Sequence, residues 1–224
     1  RIRAAGLPVE SPESRFGEQV LSFADPDGLR LELVAHDEAS DLPPWHDGPI
    51  SPEFAVRAFH GVTLIEHTLE ATAEVLTGSL GFVEGNASGS RYRFEAPEGG
   101  PASRVDVVVR PDQAFGRIAA GSIHHVAFRI AGDEEQTSWR TEALTKGLQV
   151  TPVKDRNYFH SIYFREPGGV LFEIATDPPG FAVDESVAEL GSSLRLPEWL
   201  EPQRQVLQAQ LPELTLPSFD TVTA

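Results

Sequence analysis

Between residues 123 and 130 apolar and polar positions alternate, which predicts a strand. Residues 133–147 are rich in helix formers and end at Gly147, a glycine placed to cap a helix C-terminus. Short apolar runs at 148–153, 158–165 and 170–176 predict three further strands. The preceding stretch follows the same order, with a strand at 60–66, a helix at 68–79 and strands at 81–85, 90–96 and 104–109, the last reading RVDVVV. Two βαβββ units therefore fill residues 58–177, and the fold class they predict is α+β, with mixed, curved sheets that form a cup.

The chain also matches itself. FADPDGLRLEL at 23–33 pairs with FREPGGVLFEI at 164–174 at an offset of 141, so that Phe23 meets Phe164, Pro26 Pro167, Gly28 Gly169 and Glu32 Glu173. Each copy is a turn signal that enters a short apolar run carrying one acid. A looser match pairs AFHGVTLI at 58–65 with SIHHVAFR at 122–129. The organisation this predicts is the last part of one βαβββ unit at 1–35, a linker at 36–57 marked by Pro43, Pro44, Pro49 and Pro52, a two-unit domain at 58–178 and a tail at 179–224 with a short helix near 202–210. The counterpart of His125 in the first unit would fall 48 residues before Glu32, upstream of Arg1. With no methionine in the chain, the expectation is that the protein's own N-terminal segment is missing from this sequence.

Composition narrows the partners. Eighteen basic against 34 acidic side chains leave a formal net charge of −16, which repels phosphate backbones and anionic bilayers. Nucleic acid and membranes are therefore excluded as expected partners. No apolar run approaches the roughly 18 residues of a membrane span, and RIRAAGLPVE has no apolar secretory core, so the expected location is the cytoplasm. The absence of cysteine removes disulfides, thiolate nucleophiles and Cys-held zinc or iron–sulfur sites. Any metal here must rest on His, Asp or Glu. No Gly-x-Ser-x-Gly elbow or phosphate-cradling glycine loop is present either.

The chemistry-bearing constellation is His124-His125 at the start of one predicted strand and Glu173 in the last strand of the same unit. Imidazole nitrogen with carboxylate oxygen suits Fe(II), Mn(II) or Zn(II), and two His with one carboxylate leave open positions for substrate and dioxygen. Successive strand side chains face opposite ways, so one of the two histidines is the expected ligand and a third ligand is still to be found. Glu173 lies inside LFEIA, where a buried carboxylate is costly without a cation or donor. Arg156 and Tyr163, in DRNYFHSIYF, can bring a guanidinium and a phenol beside it. Glu32 and Asp106 take the same place in their own units without a visible His partner and read as structural. His36, His46, His67 and His160 read as loop or surface residues, with His160 the one near the site in sequence.

IHHVAF, followed 48 residues after its second His by FEIATDPPGF, resembles the vicinal-oxygen-chelate superfamily of glyoxalase I, fosfomycin-resistance proteins and extradiol dioxygenases. FHGVTL, IHHVAF, DRNYFHSIYFREPGGVLFEIATDPPGFAVDE and LGSSLRLPEWLEP together are similar to the ring-cleaving dioxygenases that open hydroquinones at non-haem Fe(II), over about residues 16–212. The resemblance implies a glyoxalase-like fold with His125 and Glu173 as metal ligands. It implies His124, Arg156 and Tyr163 as residues that place an aromatic substrate, shuttle protons or stabilise oxygen-derived anions. Its cofactor is Fe(II), with Mn(II) or Zn(II) as alternatives, its partners are a small hydroquinone- or catechol-like aromatic and O2, and members often pair units across subunits, so a homo-oligomer is expected. The pattern departs at FHGVTL, where Gly61 stands in the place of His125; in the resembled family the remaining histidine comes from the first strand of the first unit. Two other readings keep the fold: a glyoxalase-like isomerase or thiol transferase on Zn(II), Ni(II) or Mn(II), and a metal-free binding module.

Overall fold

The computed structural model describes residues 1–37, 41–46, 48, 50–119 and 122–213. The predicted linker and tail fall partly outside the described residues, at 38–40, Asp47, Pro49 and 214–224. In chain order the elements are β1 (Glu13–Arg15), β2 (Glu18–Ala24), β3 (Arg30–Ala35), β4 (Gly61–Glu66), α1 (Glu70–Gly78), β5 (Val83–Ser88), β6 (Arg91–Glu95), β7 (Arg104–Val109), β8 (Val126–Ile130), α2 (Asp133–Thr145), β9 (Lys154–Asp155), β10 (His160–Arg165), β11 (Leu171–Thr176) and α3 (Arg204–Gln210). They form three sheets, ordered β1-β2-β3, β4-β7-β6-β5 and β8-β11-β10-β9. The last two are complete βαβββ units in which the first strand lies beside the last, so the α+β tandem architecture read from the sequence is the one observed. Among the described residues no helix is long and apolar enough to cross a membrane.

The chain divides into two compact units, Arg1–Val126 with Arg165–Leu171, and Ala127–Phe164 with the residues from Phe172 on. In the first, Thr72, Val75 and Leu76 share one face of α1 and are buried, as are Val105, Val107 and Val108 of β7, a strand flanked by β4 and β6. In the second, α2 opens with Asp133, Glu134 and Glu135, acids that favour the positive end of the helix dipole, and closes at Gly147, whose φ of +86° is the left-handed cap predicted from sequence. Phe164 and Phe172 meet edge to face at 5.7 Å beneath Trp139 and Phe128.

One predicted strand is absent. Residues 148–153 form none, because Pro152 has no N–H to give and the hydroxyl of Thr151 takes a ladder position, accepting from Tyr163 N–H at 3.0 Å. The edge strand reduces to Lys154–Asp155. The strand predicted from residue 123 begins only at Val126.

The 141-residue repeat is a repeated turn. Asp25 Oδ1 accepts from Asp27 N–H and Leu29 N–H, and Glu166 caps its own turn in the same way, accepting from Gly168 N–H at 2.9 Å and Val170 N–H at 2.8 Å. The longer Glu166 also takes the Thr72 hydroxyl at 2.7 Å. Glu66, the last residue of β4, is buried against this turn, and a Cβ on Gly168 would collide with its Oε2. Burial and the neighbouring Glu166 raise the Glu66 carboxyl to a pKa of about 7, against a smaller opposing pull from His67.

The acids at Glu32 and Asp106 are met by guanidinium groups. Asp106, opposite Arg93 in the β6–β7 ladder, accepts from Arg93 at 2.8 and 3.2 Å and from Arg91 at 2.8 Å. Arg93 reaches on to Glu18 Oε2 at 2.9 Å and lies 4.7 Å from the ring of Phe16. Glu32 is held by both Arg15 amino groups at 2.9 Å. Burial works to raise the Asp106 pKa, but hydrogen bonds from Arg93 and Arg91 outweigh it and hold the carboxyl below its ordinary value. His60 joins the same network through Glu18 at 2.7 Å, and burial lowers its pKa against that pull. Gly61 follows because the β4–β7 pair leaves no room there: a Cβ would strike the Arg104 carbonyl. In this unit His60-Gly61 is therefore part of the packing, and the structural reading of Asp106 and Glu32 holds.

Two outcomes follow from these charges. Between the ordinary glutamate value of 4.5 and about 7, folded Glu66 keeps a proton that the unfolded chain has released, so its contribution is full at low pH and is lost as pH rises through 7. Glu66→Gln is expected to match the wild type in urea unfolding at pH 5 and to exceed it by about 2–3 kcal/mol at pH 8.5. Arg93→Met strands Asp106 and Glu18 in the core and is expected to cost about 3–5 kcal/mol, with Arg93→Met/Asp106→Leu recovering at least part of the loss.

Candidate active site

Glu173 is the third residue of β11, and its side chain is 3% exposed. The offset of 141 maps the observed cross-strand pair Ser22 and Glu32 onto Tyr163 and Glu173. The Tyr163 hydroxyl accordingly donates to Glu173 Oε1 at 2.9 Å. Alternation along β10 brings Ser161 to the same face, and its hydroxyl donates to the same oxygen in a short hydrogen bond. The opposite faces of the two strands are apolar: Ile162, Phe164, Phe172 and Ile174 are buried. His160, at the head of β10, bonds Asp133 Oδ1 at 2.6 Å in the first turn of α2, a structural tie between strand and helix.

Arg156 reaches this group from the β9–β10 turn. Asp155 Oδ1 accepts from Asn157 N–H at 2.7 Å, Asn157 takes the left-handed φ of +67° that the turn needs, and Arg156 N–H donates to Phe159 O at 2.9 Å. The guanidinium then lies over the Tyr163 ring, 5.4 Å from its centroid, and donates to the Tyr163 hydroxyl at 3.4 Å. A chain of donors thus runs from Arg156 through Tyr163 to the carboxylate of Glu173.

His124 and His125 stand directly ahead of β8, neither of them inside the strand. The alternation rule that separated them in the sequence therefore does not apply. Their Nδ1 atoms are 2.9 Å apart and their rings nearly perpendicular at 89°. A hydrogen bond between two imidazole nitrogens carries one proton, so at most one of these nitrogens is protonated in it.

Of the five residues singled out by sequence, the structure joins Arg156, Tyr163 and Glu173 by hydrogen bonds, and His124 with His125 separately. Ser161 was missed. Its signal was available in HSIYF, where residues two apart share a face, but a lone serine carries no chemical signature. Among the described residues no group of three His, Asp or Glu is close enough to hold a metal ion. The donor types that are present suit one in part: Glu173 supplies a carboxylate oriented by hydroxyls, and His124 and His125 supply imidazoles ahead of β8.

No family model matches the sequence. Among curated proteins the chain is 42% identical over 213 residues to "Putative ring-cleaving dioxygenase MhqO" of Bacillus subtilis, covering 95% of this chain and 67% of that protein. It is 39% identical over 214 residues to the similarly named MhqE of the same organism, covering 96% and 69%. The chlorohydroquinone/hydroquinone 1,2-dioxygenase of Sphingobium indicum is 33% identical over 201 residues, covering 87% and 62%. A crystal structure described as a "putative dioxygenase" from Bacillus subtilis superposes with a TM-score of 0.84 at 39% identity, over 94% of this chain and 67% of that one. The chain spans about two thirds of the length of these relatives. With paired βαβββ units in the fold and relatives of this identity along nearly its whole length, the chain belongs to the ring-cleaving dioxygenases, a group of oxidoreductases.

Proposed function

We propose that this protein opens the ring of a hydroquinone- or catechol-like aromatic with O2, using Fe(II) held by His125, Glu173 and a third ligand not yet assigned. The observation that carries the reading is the buried Glu173 carboxylate, oriented by two hydroxyls and backed by Arg156, in a chain similar to a hydroquinone 1,2-dioxygenase. The metal would supply electronic coupling between dioxygen and the electron-rich ring. Mn(II), which can also change valence, suits the same donors, whereas Zn(II) does not change valence and suits this oxygen chemistry less well.

The chain's own residues do the rest. Glu173 brings one negative charge, which offsets half of that of a divalent cation. Tyr163, with its hydroxyl between a guanidinium and a carboxylate, can give a proton to an oxygen anion that forms beside it and recover it afterwards. Arg156 keeps that phenol oriented and favours anionic oxygen nearby. His124, bonded to His125 through Nδ1, fixes the tautomer of its neighbour and can hydrogen-bond a phenolic oxygen of the substrate. A cytoplasmic location belongs to the same reading, since a reducing compartment keeps iron ferrous.

Oxygen uptake tests this. Full-length protein loaded anaerobically with Fe(II) is expected to consume one O2 per aromatic when mixed with hydroquinone, chlorohydroquinone or catechol, with loss of the ring absorbance. No uptake with any of the three would overturn the dioxygenase reading. Tyr163→Phe is expected to lower kcat by about 100-fold while leaving KM near the wild-type value, read in the same oxygen-electrode assay.

A further inference from the structure

Arg156 stands on an exposed turn, and one residue of that turn is fastened to the segment that follows β11. The Tyr158 carbonyl accepts from Gly180 N–H at 2.8 Å, its ring stacks on Phe181 at 5.0 Å and 28°, and its hydroxyl donates to Asp184 Oδ2 at 3.1 Å. We infer that Tyr158 is a positioning residue: held by Gly180, Phe181 and Asp184, it fixes the turn from which Arg156 reaches the Tyr163 hydroxyl. The inference rests on the role proposed above for Arg156 and goes beyond it in giving the tail a part in the chemistry.

The turn needs an outside hold. β9, which leads into it, is only two residues long, so the ladder supports it little on that side. Asn157, between Arg156 and Tyr158, has the left-handed φ of +67°, a conformation that persists where the surroundings over-determine it. The Arg156 guanidinium is exposed, and its 3.4 Å reach to Tyr163 is at the long end of a hydrogen bond, so a small shift of the backbone beneath it breaks the contact. The tail can supply the hold because it is anchored itself. The Thr176 hydroxyl accepts from His160 N–H at 2.9 Å and donates to the Pro178 carbonyl at 3.1 Å, and Glu185, next to Asp184, pairs with Arg195 at 3.2 Å with its own side chain buried. Phe181 is 59% exposed and touches the Tyr158 ring and, at 6.2 Å, that of Phe159. Removing a ring that stands largely in water tests the hold without opening a cavity in the core.

Hydrogen exchange and oxygen uptake, both on the Fe(II)-loaded full-length protein, test this together. Phe181→Ala and Tyr158→Ala are each expected to speed exchange of the Arg156 amide about 10-fold while α2 and β11 exchange as in the wild type. The same variants are expected to lower kcat for hydroquinone about 10-fold with KM near the wild-type value. Phe181→Tyr, which keeps the stacked ring, is expected to restore both. In an Arg156→Ala background, adding Phe181→Ala is expected to lower kcat no further. Unchanged exchange at Arg156 in Phe181→Ala would overturn the inference, as would faster exchange with an unchanged kcat. Losses that multiply in the double variant would overturn it too, because Phe181 would then act by a route other than Arg156. A wild-type protein that consumes no O2 sinks the dioxygenase reading, and the Arg156 amide still decides whether the tail holds the turn.

Discussion

A carboxylate on the inner face of a sheet costs several kcal/mol unless something compensates its charge, and of the acids at the third position of the last strand in the three described sheets, Asp106 and Glu173 are buried while Glu32 is exposed. How each is compensated decides what its sheet can do. Arg15 holds Glu32, and Arg93 with Arg91 holds Asp106. Such pairs are closed systems: donor geometry matches acceptor geometry, charge cancels, and the strands are tied together. At Glu173 the donors that orient the carboxylate are the hydroxyls of Ser161 and Tyr163. One backbone position thus carries stability in one unit and candidate chemistry in the other.

The same divergence shows on the first strands. His60-Gly61 and His124-His125 align by sequence, yet His60 is drawn into the ion network through Glu18 and Gly61 yields to the close approach of the Arg104 carbonyl. A side chain at 61 would have to displace the parallel partner strand. Asp106, at the position matching Glu173, takes guanidinium partners instead, because a buried acid needs a counter-charge.

The strands and helices were legible because their periodicities are strong: β7 reads RVDVVV and is buried across its middle, and α2 ends at the glycine whose left-handed φ was expected. The repeat at offset 141 was legible as a turn plus an acid, and both turns indeed cap themselves with their leading carboxylate. The failures have local causes. At 148–153 the apolar pattern is that of a strand, but a proline and a side-chain hydroxyl replace ladder groups, which no hydrophobicity count registers. Ser161 stayed hidden because its role comes from its neighbour across the sheet rather than from its own type. Nothing in the sequence marks Glu18 and Arg93 as core residues, and only their mutual burial makes them so.

Proton counting carries the argument one step further at His124-His125. The 2.9 Å separation of their Nδ1 atoms admits a single bridging proton, so protonating both rings fully breaks the bond and sets two cations side by side. If His125 binds a metal through Nε2, its Nδ1 must be the donor, which leaves Nδ1 of His124 as the acceptor and puts the His124 proton on its own Nε2. The outer histidine would then present Nε2–H as a donor, and because the two rings share one bridging proton neither tautomer can change without the other.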